Sequence, residues 1–169
     1  MKFQQYYEDV CELRDAGGTL TATGIVCPYG KFSSVIYGMF KEQFRKGAFD
    51  ACLAAKPDIV CCVDHDESRL LGRSSNGTLK LTSEPDGLRA VCDFPNTTYA
   101  KDLVELLRRK DIRGMSFHFR SIDEEWSKSD DMQVRTISKA DIKEVSFVTR
   151  PAYPDSTASL RSEYEKIMP

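Results

Sequence analysis

The chain has 169 residues, enough for one domain with its own hydrophobic core, and nothing in its length calls for a second. Its 24 Lys and Arg nearly balance its 26 Asp and Glu, leaving a formal net charge of -2, which excludes a global field that would draw it onto nucleic acid or an anionic membrane. No stretch reaches the length of a membrane span, and the opening text MKFQQYYEDVCELRD has no apolar signal region, so the six cysteines read as reduced, buried thiols rather than a disulfide framework.

Residues 1–18 are expected to be an N-terminal tail, 19–157 the folded domain, and 158–169 a C-terminal tail or the start of a helix. The segment LTATGIVCPYG, rich in β-branched residues and closed by Pro28 and Gly30, predicts a strand and a turn; SSVIYGMF predicts a second strand. In KEQFRKGAFDACLAA the apolar residues recur at roughly helical spacing, which predicts a helix over 41–55 weakened by Gly47. The short apolar run IVCCV suits a buried strand that delivers Asp64, His65 and Asp66 at its end, with Cys61 and Cys62 on opposite faces. LLGR, with Gly72 and Arg73, reads as turn chemistry.

GTLKLTSEPDGLRAVCDF is two alternating segments about a turn, hence a β-hairpin. Asn96 and Thr97 can cap a helix whose stripe is Ala100, Leu103, Val104, Leu106 and Leu107, with Gly114 just past its end. The basic run Arg108, Arg109, Lys110 and Arg113 is the solvated end of that helix rather than a phosphate site. MSFHFRSIDEEW then extends, pairs across SKSDD with MQVRTIS, and continues through DIKEVSFVT to a break at RPAYP. Many strands and few helices predict an α+β fold, a mainly β barrel or sandwich with packed helices.

In an extended MSFHF, Met115, Phe117 and Phe119 share one face and Ser116, His118 and Arg120 the other. A serine hydroxyl needs a base to become a nucleophile, and His65 and His118 are the only histidines. Two residues along one strand put His118 about 7 Å from Ser116 with parallel side chains, a neighbour rather than a base. His65 could reach Ser116 from an adjacent strand with its other ring nitrogen held by an acid. The acids beside it, Asp64 and Asp66, are the solvated end of a strand, and without HExxH or CxxC spacing no metal is expected.

Four pieces, KEQFRKGAFDACL, VDHDESRLLGRSSNGTLKLTSEPDGL, the helix followed by IRGMSFHF, and IKEVSFVTRPAYPDS, occur in an order that resembles the prohead proteases of tailed bacteriophages, a family related in fold to herpesvirus assemblin. The resemblance implies an assemblin-like β-barrel flanked by helices, and a serine endopeptidase with Ser116 as nucleophile, His65 as base and Glu144 as the acidic third member, without a cofactor. His118 stands where relatives carry a small residue and is the rival orienter of His65. Gly114 could admit substrate backbone, and either the amides near Ser116 or the Arg120 guanidinium could serve the oxyanion. The resemblance further implies cleavage of the scaffolding segment of the major capsid protein, of scaffold protein and of the enzyme itself, inside the assembling prohead in the host cytoplasm, by a self-associating subunit; from the charge balance neither nucleic acid nor membrane is expected as a partner. The alternative is a catalytically silent β-barrel module that binds capsid or scaffold protein; a third reading, a zinc hydrolase using His65 and His118, would lose activity with chelators.

Overall fold

Alternating apolar positions on long extended segments bury one face of each strand, and here two sheets bury those faces against each other. The computed structural model describes residues 19–150 and, as backbone, 11–16; the expected segment 158–169 and the rest of 1–18 lie outside the described residues. Strands β1 (Cys11–Ala16) and β2 (Thr19–Pro28) pair antiparallel, so part of the stretch expected as a tail is a sheet strand. With β6 (Leu79–Ser83) and β7 (Gly87–Asp93) they form a four-stranded sheet in the order β1-β2-β7-β6. The second sheet holds β3 (Phe40–Phe44), β4 (Val60–Val63), β5 (Asp66–Arg73), β8 (Gly114–Ser129) and β9 (Met132–Val148), in the order β3-β9-β4-β5 with β8 also on β9. Helices α1 (Asp50–Ala54) and α2 (Thr98–Arg108) complete a mostly β, α+β-like fold. Among the described residues no strand pairing closes the two sheets into a barrel.

The core joins both sheets: Ala22, Val26, Leu88 and Ala90 from one meet Cys61, Met115, Val145 and Phe147 from the other, with Phe49, Leu103 and Val104 alongside. Gly72 is not turn chemistry but part of β5. A Cβ there would stand 2.7 Å from Cys92 Sγ and 3.2 Å from the Thr78 carbonyl oxygen, so only glycine lets β5 lie this close to its neighbours. The five cysteines whose side chains are described are free and buried, as expected.

Two expected elements are different. The helix predicted over 41–55 is strand β3 followed by the short α1: Gly47 takes φ +79, which interrupts a helix, and β3 gains a parallel ladder with residues 133–137 of β9 that outweighs local helical spacing. SSVIYGMF is a turn with Tyr37 and Gly38 at φ 51 and 70, closed by the Met39 amide on the Ile36 carbonyl at 2.9 Å. Thr97 does occupy the N-cap of α2, without a side-chain capping bond, while Gly114 opens β8 and the left-handed position after α2 falls to Lys110.

At the far end of β9, Arg135 is 1 % exposed and serves two carboxylates: Nη1 donates to Glu42 Oε2 at 3.2 Å, and Nε donates to Glu124 Oε2 at 2.8 Å. Burial, against the pull of Arg135 and reinforced by Glu124, pushes the Glu42 carboxyl up from 4.5 to about 8. The folded chain therefore holds a proton that the unfolded chain releases, and this group's contribution to stability declines as pH rises from about 4.5 to about 8. Thermal melting at steps across that window should show a steeper fall in Tm for wild type than for Glu42→Gln, and parallel profiles would reject the retained proton.

Candidate active site

Strand β9 aligns the expected chemistry. It pairs antiparallel with β8, Ser116 opposite Ser146 and His118 opposite Glu144, and parallel with β4, which brings Cys62 beside Ser146 and Val60 beside Glu144. Directly opposed residues share a face. Ser116, His118, Glu144, Ser146 and Cys62 therefore line one side of the sheet, while Met115, Val145, Phe147 and Cys61 enter the core on the other.

His65 reaches this face through a tight hairpin. Val63 pairs with Asp66, leaving Asp64 and His65 as a two-residue turn with φ 48 and 59, the left-handed pair that a type I′ turn requires. Neither residue is glycine, so the turn carries a conformational cost that surrounding bonds must offset. Asp64 supplies some of them: its Oδ1 accepts the Thr149 amide at 3.0 Å, and its own amide donates to the Phe147 carbonyl at 3.0 Å. Asp64 is thus a brace between the turn and the end of β9. The His65 amide adds a further bond, donating to Ser146 Oγ at 3.0 Å.

Glu144 sits at the centre. His65 Nδ1 lies 2.7 Å and His118 Nδ1 3.2 Å from its Oε2, and the two imidazoles stack with centroids 4.3 Å apart at 15°. Its Oε1 accepts from the Ser146 hydroxyl and, at 3.2 Å, from the Cys62 thiol. Burial pushes the carboxyl up, but the hydrogen bond and charge of His65, with the Ser146 and Cys62 donors, outweigh it and hold Glu144 below its ordinary value. An ionised carboxylate only accepts, so His65 Nδ1 must carry a proton and Nε2 is left as the basic nitrogen. Burial raises the Cys62 thiol well above its usual range, so it stays a neutral donor.

Ser116 is 7 % exposed on this face, and the His65 main chain lies over its cross-strand partner Ser146. Among the described residues its hydroxyl is not hydrogen-bonded to His65, whose Nδ1 lies on Glu144. Of the other expected residues, His118 joins the cluster and Gly114 opens β8 two residues before Ser116. Arg120 does not join it: the guanidinium sits on Asp141 Oδ2 at 2.7 Å on the exposed part of β8, about 13 Å of strand from Ser116. Asp66 faces away, bonding Ser68. Sequence reasoning did not single out Ser146 or Cys62 for the site. The signal was the alternation itself, since Ser146 shares a face with Glu144 in KEVSFV and Cys62 opposes the core-facing Cys61 in IVCCV.

The family described as caudovirus prohead serine protease matches residues 10–168, and the chain belongs to that family. Comparison with curated proteins and with solved structures finds no match.

Ser146 joins the His65 backbone to Glu144, so Ser146→Ala leaves a buried amide and a carboxylate oxygen each short of a partner. Urea unfolding should show a loss of about 1–3 kcal/mol, and a change within error would deny the hydroxyl this role. Nitrogen NMR of His65 in its neutral form should show Nδ1 protonated, whereas an Nε2-protonated ring would contradict the bond to an ionised Glu144.

Proposed function

We propose that this chain, as a member of that family, is a serine endopeptidase in which Ser116 is the nucleophile, His65 the general base and Glu144 the residue that orients His65. The observation that carries the proposal is the 2.7 Å bond from His65 Nδ1 to a buried, ionised Glu144, on the strand face that also presents Ser116. That bond selects the tautomer with a lone pair on Nε2 and stabilises the imidazolium formed once the nitrogen takes the serine proton. The serine oxygen attacks a peptide carbonyl, the imidazolium protonates the leaving amine, and a water deprotonated by the same nitrogen releases the acyl group. Main-chain amides beside Ser116 are assigned to the oxyanion. Arg120 is the less favoured donor because its guanidinium is engaged by Asp141.

Either Glu144 or His118 could have been the partner of His65. The geometry favours Glu144, with His118 as a second imidazole on the same carboxylate oxygen.

The family acts in capsid maturation, so its members meet capsid and scaffold proteins within the assembling prohead. The substrates assigned to this chain are the scaffolding segment of the major capsid protein, scaffold protein and the chain itself, within a domain spanning residues 19–157, of assemblin-like barrel type, that works as a dimer or higher oligomer. The silent binding module is less favoured, because a carboxylate buried under two partly exposed imidazoles costs desolvation that a packing role does not require.

Co-expression with the cognate capsid protein, followed by intact-mass measurement, should give shortened capsid protein with wild type and full-length protein with Ser116→Ala or His65→Ala. Glu144→Gln should slow cleavage by roughly 100- to 10,000-fold through loss of tautomer control. Equal cleavage by wild type and Ser116→Ala would remove the serine from the mechanism.

A further inference from the structure

Two imidazoles and a carboxylate that converge on one point form a ligand set for a divalent transition metal as well as half of a catalytic triad. His65, His118 and Glu144 each place a ligand atom within 4.8 Å of the other two, and both Nδ1 atoms already lie on the same carboxylate oxygen, at 2.7 and 3.2 Å. Zinc bound to nitrogen and oxygen at about 2.0–2.2 Å sets ligand atoms roughly 3.3 Å apart in a tetrahedron, a spacing the two Nδ1 atoms and Oε2 approach, and seating the ion turns the stacked rings apart until both ring planes contain it.

The surroundings suit an ion. Ser146 and Cys62 hold Glu144 Oε1 from below, fixing the carboxylate so that Oε2 faces the two rings. His65 and His118 are 16 % and 34 % exposed, which leaves a path for the ion and room for water in a fourth position. Two histidines, one carboxylate and an open position make a donor set that zinc accepts.

We infer that His65, His118 and Glu144 form a site for Zn²⁺ whose occupancy reversibly silences the peptidase. On binding, the lone pairs of both Nδ1 atoms and of Glu144 Oε2 go to the ion. In each neutral ring the proton leaves Nδ1 and is replaced by one on Nε2, so no net proton is released. His65 then presents Ser116 with an N–H instead of a lone pair and cannot take its proton. The ion is not a cofactor here; it occupies the orienting half of the triad. The silencing rests on the proposed role of His65 as base, whereas the binding does not.

Isothermal titration of zinc chloride into the full chain separates the two. Wild type and Ser116→Ala should each bind one Zn²⁺ with equal affinity, and His118→Gln, checked for an unchanged melting profile, should bind about tenfold or more weakly through loss of one of three ligands. X-ray absorption of the Ser116→Ala complex should show nitrogen and oxygen neighbours. Wild-type affinity in His118→Gln, sulfur ligation, or no binding would overturn the site. If zinc-free wild type cleaves capsid protein, saturating Zn²⁺ should stop it and a chelator restore it. Cleavage that continues at saturation would overturn the silencing, whereas a zinc-binding chain that never cleaves would count against the peptidase reading alone.

Discussion

Everything in the candidate site depends on the register of one strand. β9 runs over Met132–Val148 and is paired on both sides, with β8 along its length and with β3 and then β4 on the other edge. Because side chains alternate with a period of two, a slip of one residue would carry Glu144 and Ser146 into the hydrophobic core and bring Val145 and Phe147 out. Burial of Val145 and Phe147 at 0 % exposure therefore specifies where Glu144 stands, and cross-strand pairing specifies what stands beside it. The core and the chemistry are two faces of the same constraint.

The chain buries acidic groups in two ways. Glu42 and Glu124 share Arg135, and the surplus negative charge is removed by keeping a proton on Glu42. Glu144 remains ionised because donors surround it: one imidazole Nδ1, with a second 3.2 Å away, at one oxygen, and a hydroxyl and a thiol at the other. For Glu42 burial outweighs the pull of Arg135 and the Glu124 charge adds to it, whereas for Glu144 the His65, Ser146 and Cys62 donors outweigh burial. The difference also separates their uses. A protonated Glu42 serves packing, whereas an ionised Glu144 can steer the proton of a histidine.

Strain accompanies the site. The Asp64–His65 turn holds two non-glycine residues at positive φ, a conformation that glycine or asparagine would adopt more cheaply. Bonds from Asp64 to Thr149 and from the His65 amide to Ser146 tie that turn to β9, so the strand that carries Glu144 also sets the position of His65. A looser turn would cost less and would leave the imidazole without a defined orientation.

Alternation and turn chemistry made much of the fold legible in the sequence: β2, the EPDG hairpin, α2, and the long β8–β9 hairpin with a face split between Phe117 and Ser116. The helix over 41–55 misled because apolar spacing in a short segment suits either element, and pairing with β9 decided for a strand. Family resemblance pointed to Ser116, His65 and Glu144, and the local text identified His118 as their neighbour. Only the tertiary structure decided that both imidazoles meet one oxygen of Glu144, that Arg120 turns to Asp141, and that Ser146 and Cys62 complete the shell. The physical reason is range: a side chain's face is set by its immediate neighbours, while its partner is set by strands that pair across more than eighty positions of chain, as Cys62 does with Ser146.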